Sequence, residues 1–114
     1  MSEKRVGLIA GTTYASARGN AANVLAIIER AEELGIPAVW LVTSGAGLDG
    51  LTLLAAGAAR TKRVMLGTFI VTCFPRHPIV MVQQTQVIAH LAPGRFRLGI
   101  GPGHKAAEEK TFGV

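Results

Sequence analysis

Cysteine is nearly absent from this chain. Cys73 is the only one, so neither an internal disulfide framework nor a multi-cysteine zinc site is available. Aromatic residues make up only 5%, and none interleaves with basic residues as a base-stacking platform requires. No apolar run approaches the ~18 residues of a membrane span. Met1-Ser2-Glu3-Lys4-Arg5 leads straight into a short apolar stretch, without the long apolar core or cleavage site of a signal peptide. The expectation is a soluble cytoplasmic protein with no membrane partner. Asp49 is the single aspartate, and with three scattered histidines it makes no metal-ligand cluster, so no metal is expected.

What remains is an apolar chain. Hydrophobic residues are 49% and charged residues 17% of 114, which suits one folded domain and argues against disorder. The net charge of +5 raises the question of nucleic acid. Lys4-Arg5, Lys62-Arg63 and Arg95 answer it, because each directly precedes an apolar run. No nucleic-acid partner is expected.

Four apolar runs read as strands: residues 6–10, 38–43, 64–71 and 96–100. The first three are apolar on both faces, as in parallel sheets covered on both sides. Trp40, in mid-strand, reads as core. Helical periodicity lies between the runs. Val24, Ile27, Ile28, Ala31 and Leu34 follow the i, i+3, i+4, i+7 rule, with Glu29, Arg30, Glu32 and Glu33 on the wet side. Asn20 or Asn23 caps that helix, and Gly35 and Pro37 end it. Asp49 is the candidate cap of the second helix, with Leu51, Leu54, Ala55 and Ala58 on one stripe. In the third, Pro78 suits the first position, Val80, Val87 and Leu91 face inward, and Gln83 and Gln86 face outward. Glu108, Glu109 and Lys110 begin a fourth helix. This order means an α/β fold with parallel strands and right-handed crossovers. An open doubly wound sheet and part of a (β/α)8 barrel both fit, and a complete barrel needs about 250 residues.

In parallel α/β folds, ligands bind at the C-terminal ends of strands. Four loops lie there, at residues 11–19, 43–48, 72–77 and 101–105. The basic residues that precede strands lie at the opposite end, with Arg18, Arg76 and Lys105 as exceptions. The run Gly99-Ile-Gly-Pro-Gly103 lacks the third glycine of a dinucleotide fingerprint, where His104 stands, and it closes the last strand instead of the first. Its glycines either let the strand end turn sharply or bring backbone N–H groups to a phosphate or a ring. Arg76-His77-Pro78 either holds an anion at the third helix's start or only caps it. His90 suits the dipole at that helix's end. Cys73 is read as a small apolar filler. The hydroxyls of Thr12, Thr13, Tyr14 and Ser16 carry no charge.

Three segments together resemble the luciferase-like monooxygenase superfamily, in its coenzyme F420 (deazaflavin)-dependent branch. The first is Ala31-Glu-Glu-Leu-Gly-Ile-Pro-Ala-Val-Trp-Leu41. The second is Asp49-Gly-Leu-Thr-Leu-Leu-Ala-Ala56 running on to Ala59-Arg-Thr-Lys-Arg63. The third runs from Leu66-Gly-Thr68 through Arg76-His-Pro78 and Gln83-Gln84 to Leu91-Ala-Pro-Gly-Arg-Phe-Arg-Leu-Gly-Ile-Gly-Pro-Gly-His104.

The resemblance implies the N-terminal half of a (β/α)8 TIM barrel, with four parallel strands, three helices and the start of a fourth in one partial domain over residues 1–114. It implies coenzyme F420, or alternatively FMN, at the C-terminal face. It also implies a cis peptide at Phe69–Ile70 forming a bulge behind the ring, a pocket lined by the loop at residues 71–77, and a turn at residues 101–104 that holds the cofactor. Cofactor contacts are therefore expected at Phe69, Ile70, Val71, Thr72, His77, Gly101 and Gly103, and the catalytic candidates are Thr43, Ser44 and His77. Many members carry an Asp-His pair after the second strand. This chain has Thr43-Ser44-Gly45-Ala46-Gly47 there, and a hydroxyl is a poor general base unless activated. The activity implied is hydride transfer between cofactor and a small organic substrate. The rival is a non-catalytic half-barrel that self-associates through exposed strand edges into a homo-oligomer. A third reading, a small nucleotide-binding sheet, predicts NAD or mononucleotide binding without flavin.

Overall fold

The structure, a computed structural model, describes residues 6–10, 20–43 and 47–113. In chain order the elements are β1 (Gly7–Ala10), α1 (Ala21–Glu33), β2 (Ala38–Thr43), α2 (Gly50–Arg60), β3 (Met65–Thr72), α3 (Pro78–Leu91), β4 (Phe96–Arg97), β5 (Ile100–Gly101) and α4 (Lys105–Phe112). Every strand pair is parallel, in the order β1-β2-β3-β4, and β5 also pairs with β3. The alternation of apolar runs and helical stripes thus folds as expected, into consecutive β/α units.

The helix boundaries follow local chemistry. The Asn20 side chain accepts the Ala22 N–H at 2.9 Å and starts α1. Gly35, at φ +72°, turns the chain out of it. Asp49 accepts the Thr52 N–H at 3.0 Å and starts α2. His77 accepts the Ile79 N–H at 3.1 Å through Nδ1, just ahead of Pro78.

Side chains alternate across a strand, and here the two faces differ. One packs against the helices: Val39, Leu41 and Leu66 meet Val24, Ile28, Leu54 and Ile88, all fully buried. The other face is open, contrary to the expectation of strands covered on both sides. Ile9 is 59% and Phe69 60% exposed. Trp40 belongs to this open face and is only half-buried, so it is not part of the helix-packed core. Its ring lies across the neighbouring strands. A Cβ on Gly7 would stand 2.9 Å from Trp40 Nε1, and one on Gly67 only 2.2 Å from Trp40 Cζ3. The two glycines leave the space the indole fills. Gly67→Ala is therefore expected to destabilise the fold by about 1–3 kcal/mol through overpacking. In a Trp40→Ala background the same change should cost almost nothing, and urea unfolding of the four variants measures both.

Five inward-face expectations are corrected. Val80, Val87 and Leu91 are 44%, 51% and 44% exposed, and α3 instead buries Met81 and Ile88. This helix is apolar nearly all round, so periodicity offers more than one seam, and packing against α2 selects this one. Ile27 in α1 and Leu34 just after it face outward, while Val24, Ile28 and Ala31 are buried. Glu32, expected on the wet side, instead turns its carboxylate onto the α2–β3 connection. It accepts the N–H groups of Lys62, Arg63 and Val64 at 2.6, 2.6 and 2.8 Å. Burial pushes its pKa up, but those three hydrogen bonds and the Arg63 charge outweigh it, and the net shift is downward.

Arg95 works nearby at the same end of the sheet. Its guanidinium donates to the carbonyls of Val64 and Thr61 at 2.9 and 3.0 Å and to the Thr61 hydroxyl at 3.0 Å. At least part of the positive charge ahead of the strands is thus spent on joining helix ends to strand starts.

Candidate functional site

The C-terminal ends of the strands are shaped by an irregularity in β3. Between Leu41 and Thr43 β2 advances two residues, while β3 advances three, from Thr68 to Val71. On its other side, β3 advances four residues from Gly67 to Val71, while the partner strand advances three from Arg97 to Ile100. So β3 carries one extra residue relative to both neighbours, a bulge. It falls at Phe69–Ile70, whose peptide bond is cis.

The bulge explains why residues 96–100 form two short strands rather than the single one expected. At the break, the Thr68 hydroxyl donates to the Gly99 carbonyl at 2.7 Å and accepts the Gly99 N–H at 2.8 Å. A side chain thereby satisfies the Gly99 N–H where the ladder is interrupted, and it shares the Gly99 carbonyl with the Val71 N–H at 3.0 Å. The approach is close. A Cβ on Gly99 would lie 2.4 Å from the Thr68 carbonyl oxygen, and one on Gly101 would lie 2.5 Å from Ile70 Cδ1. The glycines of the Gly99-Ile-Gly-Pro-Gly103 run thus admit the bulge. Phe69 stands exposed beside it, and Ile70 lies over Gly99 and Gly101. Together they form an apolar wall.

A polar cluster lies at the same end of the sheet, where Thr43 and Thr72 end their strands. Thr43, Asp49, Thr72 and Arg76 line a cavity of about 250 Å³. The Thr43 hydroxyl accepts the Gly50 N–H at 2.8 Å, so it holds the start of α2. The Asp49 carboxylate takes the Thr52 hydroxyl at 2.5 Å and pairs with the Arg76 guanidinium, which also donates to Gln84 at 2.9 Å. Burial raises the Asp49 pKa, but the bonds from Thr52 and Arg76 and the Arg76 charge dominate and hold it below the ordinary carboxylate value. It is a fixed anion at neutral pH and a poor proton carrier.

Of the candidates read from sequence, Phe69, Ile70 and Gly101 come together at the wall. Thr43 and Thr72 come together in the polar cavity. Val71 is fully buried in the core, so its side chain is turned from the site. Gly103 lies beyond Thr72, at the edge of a separate cavity. Arg76-His77-Pro78 acts as cap and ion pair: Arg76 answers Asp49, and His77 Nδ1 answers Ile79. Ser44 and the loop at residues 11–19 lie outside the described residues. The Asp49–Arg76 pair was not legible beforehand, since 27 residues separate its members. Glu108, read only as part of a helix start, is 5% exposed.

Among the described residues, no three His, Cys, Asp or Glu side chains come together as metal ligands, and no helix is long and apolar enough to cross a membrane.

Solved structures share this arrangement. The coenzyme F420-dependent tetrahydromethanopterin reductase of Methanopyrus kandleri superposes on 96% of the chain with a TM-score of 0.80 at 23% identity. The oxygenating constituent of 3,6-diketocamphane monooxygenase from Pseudomonas putida, in complex with FMN, superposes on 95% with a TM-score of 0.79 at 21% identity. At these identities the likeness is one of fold. In sequence, an F420-dependent glucose-6-phosphate dehydrogenase of Beutenbergia cavernae is 38% identical over 95 residues, 75% of this chain. The chain spans 28%, 30% and 32% of the dehydrogenase, the reductase and the diketocamphane enzyme. The two solved structures are TIM barrels, and the parallel β/α units of this chain match part of their barrel. The family profile for luciferase-like monooxygenases matches residues 5–114, and the chain belongs to that family.

Proposed function

We propose that this chain forms the ring-binding part of an oxidoreductase that uses coenzyme F420, with FMN as the alternative, to transfer hydride to or from a small organic substrate. The β3 bulge carries the reading. It presents Phe69 exposed, with Ile70 lying over Gly99 and Gly101, and a flat tricyclic ring needs such an apolar wall on one side. The bound cofactor supplies the redox step. The protein's own part is to back the ring with Phe69 and Ile70, exclude water from that side, and place substrate near Thr43, Thr72 and His77. Thr43, Ser44 and His77 stay the candidates for contact with the reacting groups.

The described residues fit the ring better than a phosphate-bearing tail. Arg76 is committed to Asp49 and Gln84, Lys105 faces Glu109 at 3.9 Å, and Arg95 lies at the opposite end of the sheet. Relatives of both cofactor types support the pair of candidates: the Beutenbergia enzyme is F420-dependent and the Pseudomonas structure holds FMN.

A second reading rests on the open sheet face, where Ile9 and Phe69 stand exposed beside Trp40. There the chain is a non-catalytic half-barrel that covers this face by self-association.

Titrating FMN and the deazaflavin separately into the purified chain, followed by cofactor fluorescence, tests the first reading. Saturable binding of one is the expected result and names the cofactor. No binding of either, with sedimentation showing a dimer or larger species, is the result that favours the second.

A further inference from the structure

The Glu108 carboxylate lacks a partner that the fold would supply. The residue lies in the first turn of α4 and is 5% exposed. Its Oε2 is buried without a hydrogen-bond partner. A buried carboxylate oxygen left without a donor is strongly unfavourable, and native structures rarely leave one so. The surroundings are shaped to admit it. A Cβ on Gly103 would lie 2.6 Å from Glu108 Oε1 and 2.9 Å from Thr72 Cγ2, and Gly103 sits at φ +72°. Glycine at this turn leaves the space the carboxylate occupies.

The same carboxylate borders a cavity of about 420 Å³, lined also by Phe74, Pro102 and Lys105. Phe74 is 58% exposed and offers an apolar wall. The Lys105 ammonium faces Glu109, which leaves Glu108 as the uncompensated charge. The positive end of the α4 dipole is answered by Glu108 itself. An anion entering here would meet a carboxylate, whereas a donor would meet an acceptor group that no described side chain or backbone N–H serves.

We propose that this cavity binds an alcohol or amine with an apolar body, its O–H or N–H received by the Glu108 carboxylate. Phe74 and Pro102 take the apolar body, and Glu108 sets its orientation. Phosphate and carboxylate ligands are excluded by like charge. For the oxidoreductase reading this names the class of substrate, and it rests on that reading only for what is done to the ligand. Binding itself needs no cofactor.

The test uses the full chain without cofactor and three probes of one shape: cyclohexylmethylamine, cyclohexylmethanol and cyclohexanecarboxylate. The Glu108 side-chain carboxyl ¹³C resonance and the amide resonances of Gly103 and Lys105 report binding. The amine and the alcohol should shift all three saturably, and the carboxylate should shift none. Glu108→Gln should weaken the amine at least tenfold. Phe74→Ser, a change at an exposed position, should weaken amine and alcohol alike by threefold or more.

Equal binding of the three probes overturns the proposal. So does a Glu108 resonance unmoved at amine saturation, or wild-type amine affinity in folded Glu108→Gln. Should that variant fail to fold, the wild-type probe series and Phe74→Ser decide. Amine binding without any cofactor binding would overturn the oxidoreductase reading and leave this one standing.

Discussion

Thr68→Val should lower the unfolding free energy by about 1–3 kcal/mol, although it exchanges a hydroxyl for a methyl of nearly the same size. Thr68 is 1% exposed, and its hydroxyl serves both the N–H and the carbonyl of Gly99. Valine leaves the Gly99 N–H unanswered where the ladder is broken, while the Gly99 carbonyl keeps the Val71 N–H at 3.0 Å. Each orphaned buried polar group costs about 1–3 kcal/mol. Thr68→Ser keeps the hydroxyl and should recover most of the loss, short of about 1 kcal/mol for the missing methyl. Urea midpoints give the free energies, and amide exchange at Gly99 localises the damage. A loss below 1 kcal/mol in Thr68→Val would mean that water replaces the hydroxyl and that the bulge does not depend on it.

Glu32→Gln should cost about 2 kcal/mol at neutral pH, as expected for losing charge-assisted bonds to backbone N–H groups. Glutamine offers one acceptor oxygen, and its NH₂ would point a donor at donors. The pH dependence distinguishes this from a packing defect. The folded-state pKa of Glu32 lies below its ordinary 4.5, so the unfolded chain takes up the proton first as pH falls. The stabilisation is therefore fully present above the ordinary value and is lost as pH falls through the lowered one. Wild type and Glu32→Gln should differ most above pH ~5.5 and converge in acid. A constant gap from neutral pH to pH ~3 would overturn the electrostatic account.

The parts of this fold that were legible in the sequence are those written in local pattern. The caps at Asn20 and Asp49, the stop at Gly35 and the start at Pro78 each depend on residues within one turn. The order of β and α units follows, and with it the end of the sheet where a site belongs. What escaped local reading is held by distant partners. The Thr68–Gly99 bonds span 31 residues and break the fourth run in two. Glu32 reaches 30 to 32 residues ahead, so a charged residue on a polar helix face gave no sign of its role. On α3, Val80 and Met81 are equally apolar, and only the surface of α2 decides between their seams. The site divides in the same way. The bulge at Phe69–Ile70 is implied by family resemblance, whereas the Asp49–Arg76 pair and the buried Glu108 arise only from the tertiary fold.

The indole that rests between Gly7 and Gly67 also makes the chain its own optical gauge. Trp40 is the only tryptophan, so its emission comes from one place in the molecule, where β1, β2 and β3 meet. Whatever covers the open face there, whether a bound ring or a second protein surface, must change the polarity around this single fluorophore. The helix-packed side of the sheet stays dark to it. One wavelength therefore separates events on the binding side from changes in the core, with no label added.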